Sequence, residues 1–290
     1  MPADQGPVVQ SALLWRELAS LRRDRELTHA QVAAALGWSS SKLIKIEGGH
    51  GTITTADLDA LLAQYGITEA GIVELFHARH RSADERAWWD SYAGRVSSAY
   101  LEYVGYEAGA VSIRQFQLSL VPGLLQTPRY AEVVTNVGAA DARWVTPVTD
   151  VRLERQARLA SRSEPPRQLF VMDEAVIRRH VGIGQDPAIM PDQLLSIARR
   201  AEQDALVTVR VIPFSAGAHP GIFGPFILLG FGNGLPDILY RDPGRGTFEL
   251  AIGDHRQVSE HLADFEALLE SALPEDESIQ LIRTAAEQMS

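Results

Sequence analysis

The stretch "LTHAQVAAALGWSSSKLIKIEGG", residues 27–49, decides the fold of the N-terminal part of the chain. It holds two helix starts, a glycine break and a run of three serines. Thr28 stands at an N-cap position, and Gln31 three residues later completes a capping box. Leu27 before the cap and Val32 after it occupy staple positions. The helix that follows spans about Thr28 to Leu36, and Gly37 stops it where a left-handed residue is easiest for glycine. Ser39 then caps a second short helix, with Trp38 and Leu43 at its staple positions, and Glu47-Gly48-Gly49 ends it. Two helices joined by a turn of about four residues that includes a glycine match the helix-turn-helix arrangement. Ala33 is small enough for a close helix crossing, and Val32, Leu36, Leu43 and Ile46 supply an apolar interior. A generic helical bundle shows some of these features; their agreement favours the helix-turn-helix.

Working outward, Leu14, Leu18 and Leu21 recur at helical spacing before this stretch, and "LDALLAQYG" supplies a further helix after it, capped by Thr54. Residues 9–76 therefore read as an all-α helix-turn-helix domain of about five helices. Residues 77–98 read as a connector helix. From 99 to 290 helices are followed by clustered strands, which reads as an α+β domain with a small, mostly antiparallel sheet. "ALVTVRVIPF" (205–214) is the clearest strand, with Val207, Val209 and Val211 on one face. "QLFVMD" (168–173) is another. "PFILLGFGNGLPDILYRD" reads as two strands around a glycine-rich hairpin.

Composition sets the outer bounds. The chain has 290 residues, 46% hydrophobic and 22% charged, which fits two globular domains. No apolar run is long enough for a membrane helix. The start, "MPADQGPVVQ", has no secretion-signal pattern. The sequence contains no cysteine, which removes disulfides, thiol catalysis and cysteine-based zinc sites. A cytoplasmic protein is expected. The formal net charge is −10, yet residues 11–50 carry six Lys or Arg against four acids. An acidic total argues against general nucleic-acid affinity and leaves room for one basic reading face.

The N-terminal motif resembles the helix-turn-helix of phage-repressor-like (XRE) regulators. The rest of the chain resembles an actinobacterial group of such regulators with a long C-terminal domain, described as antitoxin-like. The residues that carry this are "YLEYVGYEAGA" (100–110), "LVPGLLQTPRYAEVV" (120–134), "RLERQARL" (152–159), "FVMDEAVIRR" (170–179), "VRVIPFSAGAHPG" (209–221) and "GPFILLGF" (224–231). The resemblance implies a sequence-specific transcriptional regulator that binds double-stranded DNA as a homodimer. It also implies control through the C-terminal domain, by a small partner protein encoded nearby or by a small-molecule effector. An antitoxin-like protein that sequesters its partner and autoregulates is the alternative.

In that family's docking mode the third helix enters the major groove by its N-terminus. This places Ser40, Ser41 and Lys42 in the first turn on the DNA, with Lys45 one turn later, while Ser39 serves as the cap. His29 stands at the position that commonly touches phosphate, where the family usually has glutamine. Arg22, Arg23 and Arg25 either flank the phosphates or are ordinary cations near a helix C-terminus, the second reading being favoured.

Outside the motif, Phe214, Ser215 and His219 in "PFSAGAHPG" mark a loop that lines a ligand pocket or a partner groove, or is a plain crossover. Trp88, Trp89 and Trp144 are candidates for an aromatic interface or for core. His77 and His80 lack a third ligand at metal-binding spacing, and Asp254, His255 and His261 lack a serine in an elbow motif. "GFGNG" (230–234) sits between strands, the wrong context for a phosphate cradle. "DEAVIRRH" (173–180) has acids early and arginines late, the usual dipole pattern. No catalytic set, metal site or cofactor is expected.

Overall fold

A computed structural model describes residues 6–49, 51–138, 145–232, 234–241, 249–252 and 254–289. The chain divides into two compact units, Met1–Trp88 and Trp89–Ser290.

The first unit is built from α1 (Gly6–Asp24), α2 (His29–Leu36), α3 (Ser40–Glu47), α4 (Thr55–Gln64) and α5 (Ala70–Ala83). Each short helix starts on a side-chain cap. Thr28 accepts from the Gln31 amide, and the Gln31 side chain in turn accepts from the Thr28 amide. Ser39 accepts from Lys42 N and Thr54 from Asp57 N. Gly37 ends α2 at φ 67, a conformation that costs a residue with a Cβ. Helices of eight residues gain little from propensity; here they gain from one shared core. Leu14, Leu18, Val32, Leu43, Ile46, Leu58, Leu61 and Phe76 are buried together in it, with Leu36 and Trp38 packed at its edge. Residues 77–98 contain the end of α5, a 3-10 turn at Trp88–Tyr92 and the first residue of the next helix.

The second unit holds α6 (Ser98–Gly109), α7 (Pro128–Gly138), α8 (Val145–Ala160), α9 (Glu174–Arg178), α10 (Ile189–Gln203), α11 (His255–Ser271) and α12 (Glu275–Met289). Its strands are β1 (Ser112–Gln117), β2 (Arg167–Asp173), β3 (Val207–Ile212), β4 (Phe226–Gly230), β5 (Ile238–Arg241) and β6 (Glu249–Ala251). They form one six-stranded sheet in the order β3-β2-β1-β4-β5-β6. This corrects the expected small, mostly antiparallel sheet. β1, β2 and β3 are parallel, and β4, β5 and β6 are antiparallel additions. The physical reason lies in the connections. Parallel neighbours need a long crossover, usually helical, and α7 with α8, then α9 with α10, fill the gaps between β1, β2 and β3.

Phe116, Val171, Ile212, Phe226, Leu228 and Leu239 pack on one face of the sheet under Val258, Phe265 and Leu268 of α11. Strand β3 lies at the sheet margin. The Val211 amide donates to Ser278 Oγ at 3.0 Å, and its carbonyl accepts from Leu273 N at 2.9 Å. The Arg210 guanidinium donates to the Leu269, Ala272 and Leu273 carbonyls at the end of α11.

The "VPGLLQT" loop between β1 and α7 is largely buried and holds only one 3-10 turn, Gly123–Leu125, so most of its polar backbone needs side-chain partners. Gln126 donates to Val121 O, Arg200 to Leu124 O, and Gln193 to Leu125 O; Gln156 donates to both Gly123 O and Gln126 O. The Val121 amide donates to the Tyr130 hydroxyl. Beside the loop, Glu107 and Arg155 form a fully buried ion pair at 2.8 Å. Arg155 also donates to the Tyr100 hydroxyl at 2.7 Å, and Tyr103 donates to Glu107. The Tyr103 ring stacks on Tyr240, centroids 4.1 Å apart. Burial pushes the Glu107 carboxyl above its usual range, against the pull of Arg155.

No helix among the described residues is long and apolar enough to cross a membrane.

Candidate nucleic-acid interface

Helix α3 shows two sides. Leu43 and Ile46 point into the core. Ser41, Ile44 and Lys45 are exposed, one helical turn apart on the same side. Ser40 is half-buried at the first position. The structure therefore brings Ser40, Ser41 and Lys45 together at the outer side of α3.

It treats the other two expected contacts differently. Lys42 Nζ lies 2.9 Å from Asp57 Oδ2 on α4 and 3.9 Å from the centroid of the Trp38 ring. Desolvation works to raise the Asp57 carboxyl, but Lys42 and the Thr54 cap outweigh it and hold it below its ordinary value. Lys42 thus ties α3 to α4. His29 Nε2 sits 3.1 Å from Glu47 Oε2, at the N-terminus of α2 and with about a third of its side chain exposed.

Glu47 is the hub that sets the angle of α3. Its carboxylate takes Arg22 Nε and Nη2 at 2.8 Å each, so the fork is bidentate. Arg22 also donates to the Leu27 carbonyl at 2.8 Å. One buried carboxylate thereby joins the end of α1, the start of α2 and the end of α3. Arg22 is accordingly an internal strut, a stronger role than the dipole reading of the sequence gives it. Bidentate charge-assisted bonds fix orientation as well as distance. Gly51 closes on the same region, where an added Cβ would come within 3.0 Å of Ile46 N.

Tyr65 is buried against this hub. Burial, with the Glu47 charge adding to it, pushes its hydroxyl up to about 12, from an ordinary value of about 10. The folded state holds that proton more tightly than the unfolded chain. Stability is therefore full below about pH 10 and falls between about pH 10 and 12, by roughly 1.4 kcal/mol per pH unit. Alkaline unfolding followed by circular dichroism should show this contribution beside those of the other buried tyrosines, and Tyr65→Phe should remove its share of the slope.

Sequence reasoning missed Ile44. Its side chain is 52% exposed on α3. The signal was available: in a helix whose interior stripe is Leu43 and Ile46, the residue after Leu43 turns about 100° off that stripe.

Two family models match the chain. Residues 14–75 match a helix-turn-helix domain, and residues 100–284 match a domain of unknown function, DUF5753. The chain belongs to the DUF5753 family. No curated protein and no solved structure matches it. The helix-turn-helix match covers α2, α3 and the whole Arg22–Glu47–His29 hub, so the DUF5753 chain carries a domain of the DNA-binding type on its N-terminal side.

Within the DUF5753 region, the loop after β3 divides its expected residues. Phe214 and Ser215 are exposed, while His219 is buried with Nε2 3.1 Å from Asp173 Oδ2. Asp173 also caps α9, and Glu174 accepts from the Phe214 amide at 2.7 Å. These contacts pin the loop to the end of β2. Gly221 lies directly on the Phe116 ring, where a Cβ would fall 2.3 Å from ring carbons. Trp89 is buried, and Trp144 lies outside the described residues.

The histidines and acids that tempt an enzymatic reading have local partners. His77 Nε2 lies 2.8 Å from Asp59 and His80 Nδ1 3.4 Å from Asp84. Asp254 caps α11, and His261 Nδ1 lies 2.9 Å from the Gln257 carbonyl.

Proposed function

We propose that the chain is a sequence-specific transcriptional regulator that reads double-stranded DNA through α3, in the manner of XRE regulators. The observation that carries the reading is the exposed Ser41–Ile44–Lys45 side of α3, held at a fixed angle by Glu47 within a helix-turn-helix domain. Serine and lysine offer donors to base edges and phosphates. Lys45 puts an exposed cation on that side, within a segment, residues 11–50, that carries six Lys or Arg against four acids, a local balance that suits a polyanion.

Lys45→Ala should weaken binding to a selected operator by about 1–3 kcal/mol and binding to random duplex by less. Ser41→Ala should act in the same direction with smaller size. Fluorescence anisotropy on both DNAs across a salt series checks this. Equal loss on both would assign these side chains to the phosphates, and absence of DNA binding by the full chain would overturn the reading.

Dimerisation and control through the DUF5753 region belong to the same proposal. Support comes from the exposed apolar side chains after β3: Phe214 at 60%, Ile222 at 53% and Phe223 at 92%. We place a second copy of the chain against them. Phe223→Asp, at a site too exposed to disturb the core, should shift the sedimentation of the protein to that of a monomer. The actinobacterial and antitoxin-like affinities, and a small partner protein, rest on the sequence resemblance. The chain is proposed to have no catalytic activity, in keeping with the structural partners of its histidines.

A further inference from the structure

The exposed isoleucine on α3 is not explained by folding. Leu43 and Ile46 fill the core, and Ile44 leaves half of its surface in solvent. It stands between Ser41 and Lys45, both exposed on the same side of the helix. A polar or charged residue would serve a solvated face better. In the major groove, by contrast, only one feature of the base edges is apolar, the 5-methyl group of thymine.

We propose that Ile44 reads a pyrimidine 5-methyl group in the major groove, and so determines one position of the operator. This rests on the reading of α3 as the DNA-contacting helix. The occupant is argued from the exposed cation and the shape of the helix: Lys45 is exposed beside Ile44, residues 11–50 carry six Lys or Arg against four acids, and duplex DNA is the polyanion whose groove admits a helix. The methyl group comes either from thymine or from methylated cytosine, which present the same apolar contact.

The test begins with selection of bound duplexes from a random library by the full chain. Each thymine of the selected site is then replaced singly by uracil, which differs only by the missing methyl. At one position per half-site the loss should be about fourfold, the size expected for burying one methyl group. Ile44→Ala should abolish that thymine-over-uracil ratio, and Ile44→Val should retain most of it. Ile44 lies outside the core, so both variants keep the fold. At the same position, a preference for 5-methylcytosine over cytosine identifies methylated DNA as a second source of the contact; equal binding confines it to thymine. If Ile44→Ala keeps the full thymine-over-uracil ratio, or if uracil costs nothing at any position, the inference is overturned while α3 remains the DNA reader. If the library yields no preferred sequence, base reading by α3 fails and the inference falls with it.

Discussion

Replacing Glu107 by alanine should cost the DUF5753 unit about 3–5 kcal/mol, the penalty for stranding one partner of a buried ion pair. Arg155 has no solvent route: its side chain is 6% exposed and that of Glu107 is 0%. The Tyr100 hydroxyl still accepts from Arg155, and Tyr103 donates only to Glu107, so neither tyrosine supplies the balancing charge. Replacing both partners with apolar residues, Glu107→Leu with Arg155→Met, removes the stranded charge, and such exchanges are often neutral or stabilising. The double variant should therefore recover most of the loss. Urea unfolding of wild type, both single variants and the double variant measures the set. Equal losses in single and double variants would show that shape and the tyrosine hydroxyls matter more than charge.

The second large effect is expected at Glu47. Glu47→Ala should destabilise the helix-turn-helix unit by about 3 kcal/mol. The lower end of the range applies because Arg22 keeps its bond to the Leu27 carbonyl. For a unit of this size the melting midpoint should fall by roughly 15 °C. His29 also loses its partner, so the start of α2 loosens with the end of α3. Operator binding should fall more steeply than the melting midpoint suggests, because α3 loses its fixed angle before it unfolds. Calorimetry should show the transition of the helix-turn-helix unit move to lower temperature, and an unchanged transition would show that the Glu47 contacts carry no stability.

The parts of this structure that were legible in the sequence are those governed by neighbours along the chain. The Thr28–Gln31 box, the Gly37 stop and the Ser39 cap each depend on residues three or four positions apart, and the structure has all three. The interior set of Val32, Leu43 and Ile46 follows from helical spacing. What was not legible depends on distant partners. Arg22 and Glu47 are 25 positions apart, and nothing local shows that Arg22 turns inward. That Lys42 pairs with Asp57, 15 positions away, is likewise invisible in the local pattern. The mixed sheet is illegible for the same reason: β1 finds β2 across two helices, and periodicity shows a strand without its direction. The burial of the "VPGLLQT" loop depends in the same way on Gln156, Gln193 and Arg200, which come from distant helices.

The seal on Val211 reaches beyond the fold. An uncapped β-margin is a template on which foreign chains polymerise. At Val211 both hydrogen-bonding groups are already spent, the carbonyl on Leu273 between the last two helices and the amide on Ser278 in α12. A strand offered by another molecule finds no ladder to join there, so recruitment into fibrils or swapped assemblies has to begin somewhere else on the molecule.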